Sequence, residues 1–178
     1  MKKFTLLLFT ACLIGITSNI HAQSGCVFEE NNTNIIATCD SKEPEKMMLI
    51  GLVEPQTLAN ETWYAENYNN YDVDIDTLTK LKNLNTPTEI SVIIGTWCPD
   101  CHRETPRFIK IIENLNNPHI TVKYIAVDRN KTDPQGLASA YEFSRIPTFI
   151  VSQNNQEKGR IVEKPTVSLE KDLLSILN

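Results

Sequence analysis

The chain has 178 residues, of which 41% are hydrophobic and 22% charged. That suits one ordinary domain with additional chain, able to bury a core, and excludes a disordered polymer. A net charge of -5 excludes the basic footprint of a nucleic-acid binder, and the five cysteines acquire meaning only once the compartment is known.

The compartment is read from the first 22 residues. Met1-Lys2-Lys3 is a positive start, 4–16 is an apolar run without a charge, and Ile20-His21-Ala22 places a small residue before Gln23. This is the layout of a bacterial-type signal peptide. The apolar run of about 13 residues is short of the roughly 20 that a spanning helix needs. The protein is therefore expected to be exported, periplasmic or secreted, with no membrane span after cleavage. Lipoprotein anchoring would use Cys12, but Phe9-Thr10-Ala11-Cys12 is a loose match to that signal and apolar Leu13-Ile14-Gly15-Ile16 follows it, so anchoring is not expected. Cleavage after Ala22 removes Lys2, Lys3 and Cys12. It leaves fifteen bases against 22 acids, a net charge of -7, and four cysteines: Cys26, Cys39, Cys98 and Cys101. An even number is what two disulfides require in an exported protein.

An acidic extension, 23–76, follows. Residues 29–76 carry eleven acids against Lys42 and Lys46. Turn-forming Asn31-Asn32-Thr33-Asn34 between apolar segments predicts a β-hairpin over 26–39. A turn centred on Asn32-Thr33 sets Cys26 opposite Cys39, so a structural disulfide is expected there. Residues 41–73 carry Trp63, Tyr64, Tyr68 and Tyr71 and read either as chain packed on the domain or as a partner surface. Residues 76–82 read as a helix.

From residue 77 the pattern alternates. Strands are predicted over 89–95, 120–127, 148–151 and 159–163. A helix is predicted over 99–114, with Phe108, Ile111, Ile112 and Leu115 on its apolar face and Pro106 bending it. Asp133-Pro134 is expected to open a short helix through Leu137, Tyr141 and Phe143. A last helix runs over 168–177 with Ser168 as N-cap. The order β-α-β-α-β-β-α implies an α/β fold, a mixed central sheet flanked by helices.

The chemistry centres on Trp97-Cys98-Pro99-Asp100-Cys101, between a strand and a helix. Two thiols three positions apart in a first helical turn can cycle between dithiol and disulfide. Cys98 lies at the helix end, where free N–H groups and the helix dipole favour a thiolate, so it is the candidate nucleophile. Cys101, one turn in, is the candidate resolving thiol. The same residues also admit a structural disulfide, or a zinc site completed from Cys26, Cys39, His102 and His119, or c-type haem attachment through Cys98-Pro99-Asp100-Cys101-His102. The zinc site needs two further ligands. The haem reading needs a mainly helical pocket and a second axial ligand, and no Met follows the motif.

Residues 77–178 resemble the thioredoxin family. The resemblance rests on Trp97-Cys98-Pro99-Asp100-Cys101, on Pro106, on Ile146-Pro147-Thr148 and on the element order. Gly95-Thr96-Trp97 and Val127-Asp128-Arg129-Asn130 resemble in particular the exported members from Bacteroidetes-type bacteria. It implies a thioredoxin-like fold behind an N-terminal hairpin and helical extension, and a thiol–disulfide oxidoreductase acting on protein substrates with an upstream redox partner and no bound cofactor. It implies a cis Pro147 and substrate binding by Trp97, Ile146 and Pro147, with Pro99 and Asp100 tuning the cysteines. The buried aspartate that thioredoxins carry six positions before the nucleophile is replaced by Val92, and their partner lysine falls near Tyr124, with Lys123 facing away. Water, Asp100 or Glu104 would then serve as base. A carboxylate at Asp100 is expected to raise the Cys98 pKa, with His102 and Arg103 opposing it, so a reductant or isomerase is expected rather than a strong oxidant. The competing expectation is a thioredoxin-fold binding or chaperone module whose cysteines stay oxidised.

Overall fold

A computed structural model describes residues 48–178, together with the backbone of 27–31 and 34–38. The signal-peptide region and all of Cys12, Cys26 and Cys39 lie outside the described residues. Seven strands form one sheet in the order β1-β2-β3-β5-β4-β6-β7. The first two, β1 (Val27–Asn31) and β2 (Asn34–Thr38), form an antiparallel hairpin in which Asn31 faces Asn34 and Val27 faces Thr38. Residues 32 and 33, between the two strands, lie outside the described residues. The cysteine bridge expected at the open end of this hairpin involves residues outside the described set.

The hairpin pairs with β3 (Met48–Val53), which runs antiparallel to β5 (Ile120–Ala126). Parallel pairing of β4 (Thr88–Ile94) with β5 forms the centre. Antiparallel β6 (Thr148–Gln153) and β7 (Gln156–Val162) complete the other side. The strand β4 is buried at every position but Glu89, as the continuous apolar run of a central strand requires.

Successive side chains on a strand point to opposite faces. Ser91 and Lys123 reach Tyr141, whose hydroxyl lies 2.7 Å from Ser91 Oγ. Buried Val92 and Tyr124 therefore point to the opposite face. The helices are α1 (Pro55–Leu58), α2 (Tyr64–Asn69), α3 (Ile75–Lys82), α4 (Pro99–Leu115) and α5 (Leu169–Leu177). In α4 the spacing of three and four puts Cys101, Glu104, Thr105, Phe108, Ile111 and Leu115 inside, with the Phe108 ring 4.8 Å from that of Phe149 on β6. Pro106 lies inside α4, and Asn116 ends it in the left-handed conformation that asparagine tolerates. Asp74 caps α3 through the Thr77 N–H, and Ser168 caps α5 through the Lys171 N–H.

Two readings change. The sequence starts the thioredoxin-like unit at residue 77, whereas the sheet and core take in chain from Met48 on: Leu49, Val53, Leu58 and Tyr64 are buried in the same core as β4 and α4. The helix expected after Asp133-Pro134 is only a 3-10 turn at Ala138–Ala140. Gly136 turns the chain there at φ 68°, and the Asp133 carboxylate accepts from the N–H groups of Gln135, Leu137 and Ala138, closing a turn instead of a helix.

Candidate active site

The end of β4 delivers the chain into a tightly tied loop. After Ile94, the Cys98 N–H donates to the Gly95 carbonyl at 2.9 Å, and Cys98 becomes the extended N-cap of α4. A proline at the first helical position suits Pro99, because it has no N–H to leave unpaired. Gly95 is required by close approach: a Cβ there would lie 2.8 Å from both the Ile146 side chain and the Trp97 indole nitrogen. The Trp97 Nε1–H donates to the Val127 carbonyl at 3.1 Å, and the Arg129 guanidinium lies over the indole at 5.2 Å.

Both thiols are reduced and buried, Cys98 at 8% exposure and Cys101 at 1%. Their surroundings push them apart. The Cys98 thiol is lowered from near 9 to about 6: chiefly by a hydrogen bond from the Cys101 thiol, then by the backbone N–H groups of Cys101 and Asp100, against the desolvation of burial. The Cys101 thiol is raised, first by burial and then by the hydrogen bond it shares with Cys98. Its sulfur accepts from the Gly95 N–H at 3.3 Å. The negative charge of Asp100 does raise the Cys98 pKa, but it is outweighed by the hydrogen-bond donors. The expected upward shift of Cys98 is therefore corrected to a downward one. Asp100 is also turned to Arg103, 2.8 Å away.

Opposite the pair, the Ile146–Pro147 peptide is cis, and the Cys98 thiol donates to the Ile146 carbonyl at 3.5 Å. Ile146 and Pro147 are buried and Trp97 half-buried, so the outermost apolar residue of the group is exposed Pro99. The Glu163 N–H holds the Pro147 carbonyl at 2.7 Å, and the Thr148 hydroxyl donates to the Arg145 carbonyl at 2.6 Å. Of the bases weighed from the sequence, Glu104 is buried but committed to Arg103 at 2.6 Å and Arg107 at 3.6 Å. Lys123 pairs with Glu89 on the far face of the sheet.

Sequence reasoning missed one group. The His102 ring stacks on Trp63, with centroids 4.6 Å apart and planes 10° from parallel, and its Nε2 lies 2.6 Å from the Thr96 carbonyl. The Leu49 N–H reaches Thr96 Oγ1 at 3.3 Å, and Met48 and Ile50 pack with Trp97. The only sequence signal was the aromatic richness of 41–73.

The match to known proteins follows the same outline. The family model described as Thioredoxin matches residues 52–171. A thioredoxin of Chlamydia pneumoniae is 38% identical over 68 residues, which are 37% of this chain and 59% of that one. Thioredoxin H9 of Arabidopsis thaliana is 28% identical over 84 residues, 47% of this chain and 56% of that one. The chain thus spans less than two thirds of the length of these two relatives. A crystal structure of a Pseudomonas aeruginosa protein of unknown function superimposes with a TM-score of 0.50 at 20% identity, covering 64% of this chain and 81% of that one, a likeness of fold. With the family model covering most of the chain, and with a thiol pair at the start of α4 facing a cis-proline, the chain belongs to the thioredoxin family.

Proposed function

We propose that this protein is an exported thiol–disulfide oxidoreductase of the bacterial periplasm or exterior that reduces or isomerises protein disulfides. Cys98 is the nucleophile and Cys101 the resolving thiol. Trp97, Ile146 and Pro147 receive the substrate chain, and Pro99 and Asp100 tune the pair.

The observation that carries the reading is the opposed setting of two thiols one helical turn apart. The Cys98 thiolate, stabilised by N–H and S–H donors, attacks one sulfur of the substrate disulfide. The Cys98–substrate bond forms, the substrate S–S bond breaks, and the departing thiolate takes a proton from water. Cys101 then loses its proton and attacks Cys98. The Cys98–Cys101 disulfide forms and the second substrate thiolate leaves, so two electrons pass from enzyme to substrate. An upstream redox partner restores the dithiol. The raised Cys101 pKa keeps this thiol protonated until the mixed disulfide forms. Glu104 is already committed to Arg103 and Arg107, so water entering with the substrate takes the Cys101 proton.

The direction of flux rests on the size of the Cys98 shift. A pKa of about 6 is nearer to the value of about 7 in reducing thioredoxins than to the value of about 3.5 in the strongest oxidants of the fold. A lower thiolate pKa stabilises the dithiol, so the potential should lie between that of thioredoxin and that of the isomerases, about -270 to -180 mV. A redox titration giving about -120 mV would overturn the reductant or isomerase reading.

The haem alternative does not fit the geometry of His102, whose Nε2 is bonded to Thr96 and whose ring face is covered by Trp63. The test of the main reading is insulin reduction by wild type and Cys98→Ser, with Cys101→Ser to trap mixed disulfides on Cys98. Equal activity in wild type and Cys98→Ser would remove Cys98 from the mechanism.

A further inference from the structure

The active-site loop is tied on three sides. Trp97 is bonded to Val127 at the end of β5, Thr96 Oγ1 to Leu49 of β3, and the Thr96 carbonyl to His102 of α4. The third tie crosses the redox motif itself: it joins the residue two before Cys98 to the residue directly after Cys101. A carbonyl oxygen only accepts hydrogen bonds, so the His102 Nε2 carries the proton and donates it. At 2.6 Å and partly buried, the bond is well screened from competing water. The imidazole is held by the parallel Trp63 ring, which the chain before α2 supplies. Trp63 is itself fixed by the Asn67 side chain, which donates to the Trp63 carbonyl at 3.0 Å.

We propose that His102 is a positioning residue for Cys98: pressed against Trp63, its Nε2–H clips Thr96 to the first turn of α4 and holds the Cys98 sulfur in range of the donors that stabilise its thiolate. The inference rests on Cys98 being the nucleophile. It gives residues 49–63 a chemical role, because Leu49 and Trp63 together brace the loop from outside the motif. The donors involved are short-range. The Cys101 thiol and the N–H groups of Asp100 and Cys101 act only while the sulfur keeps its place at the N-cap. Releasing Thr96 lets the 95–98 turn open and lengthens those contacts.

The test compares His102→Leu, which has no donor, with His102→Gln, whose side-chain amide can take the place of Nε2–H. The Cys98 pKa is read from the ultraviolet absorbance of the thiolate in reduced protein, and attack on a symmetrical aryl disulfide is timed at a pH below both pKa values. In that step the Cys98–aryl disulfide forms and one aryl thiolate is released. His102→Leu should raise the Cys98 pKa by about one unit, a tenfold loss of thiolate at fixed pH. Intrinsic nucleophilicity rises with pKa and recovers part of this, so attack slows about threefold. His102→Gln should stay close to wild type. Should His102→Leu fail to fold, Trp63→Leu removes the brace and leaves the donor, and should shift the pKa the same way by less. Unchanged Cys98 titration in His102→Leu, or in Trp63→Leu where that is the variant read, overturns the clip. So does His102→Gln behaving like His102→Leu, which would assign the effect to the charge of the imidazole. If instead wild-type Cys98 shows no lowered pKa, it is the reading of Cys98 as nucleophile that fails.

Discussion

Two buried polar centres sit at the starts of two helices of this fold, α4 and α5. At the start of α4, the Cys98 sulfur is met by N–H and S–H donors. At the start of α5, the Glu170 carboxylate is fully buried, with one oxygen accepting from the Tyr71 hydroxyl at 2.7 Å and the other from the Asp74 N–H at 3.1 Å. Both are anion sites built from dipoles. They differ in what is left over. Both oxygens of Glu170 are taken by groups the fold holds in place, so it joins α5 to the chain before α3. The chief donor to Cys98 is the Cys101 thiol, whose proton leaves during turnover, so that site is stable in one redox state only. Saturation makes a structural anion, and a removable donor makes a reactive one.

The largest effect should come from removing the reactive anion. Cys98→Ser should abolish insulin reduction and leave the unfolding midpoint near that of the reduced wild type, because a hydroxyl fits the same N-cap. Residual turnover comparable to wild type would put the chemistry elsewhere. Phe108→Ala should do the reverse. The ring is fully buried against Phe149, and its loss should cost about 3–5 kcal/mol in denaturant unfolding. Glu170→Ala strands the Tyr71 hydroxyl and the Asp74 N–H, at about 1–3 kcal/mol for a buried group left unpaired, and should lower stability with no change in the Cys98 pKa. A shift in Cys98 reactivity would mean that the two centres are coupled, and the comparison would fail.

Much of the reactive centre was legible in the sequence, and little of the saturated one. The continuous apolar run of 89–95, the apolar face of α4 and the spacing of Cys98 and Cys101 each report a local rule, and local rules survive folding, while Pro147 was legible only through the family resemblance. The partners of Glu170 and His102 lie at positions 71, 74 and 63, far away in sequence, and no periodicity connects them. The strand β3 escaped because 41–73 reads by its acids and aromatics, while among its described residues the six of Met48–Val53 pair with the sheet. The helix expected after Pro134 failed on one competing rule: a short acidic side chain followed by glycine closes a turn more readily than it caps a helix.

A smaller and more specific effect concerns pH. In the unfolded chain the Cys98 thiol titrates near 9, and in the folded dithiol it titrates at about 6. A group whose folded pKa is lowered contributes stability that is complete above its unfolded value and is lost as pH falls through the folded value. The oxidised protein has no Cys98 thiol to titrate. The stability of the reduced form should therefore rise relative to the oxidised form between pH 6 and pH 9. A difference that stays flat across that window, in paired denaturant titrations, would mean that the donors at the N-cap do not hold the thiolate.

The smallest effect is expected where charge is exposed. Arg145 and Glu163 flank the cis-proline and pair at 2.9 Å, but their side chains are 65% and 37% exposed. Water screens such a pair, and its worth is about 0–1 kcal/mol. What holds the cis-proline loop is hydrogen bonding to its main-chain carbonyls: the Glu163 N–H on the Pro147 carbonyl and the Thr148 hydroxyl on the Arg145 carbonyl. None of these groups is removed by Arg145→Ala. That variant should keep its unfolding free energy within about 0.5 kcal/mol of wild type and retain insulin reduction. A loss of about 2 kcal/mol or more, well beyond the range of an exposed pair, would show that side-chain charge and not main-chain bonding holds this loop against Cys98. The redox end would then depend on paired charges, and its contrast with the dipole-built Glu170 site would have to be drawn on different grounds.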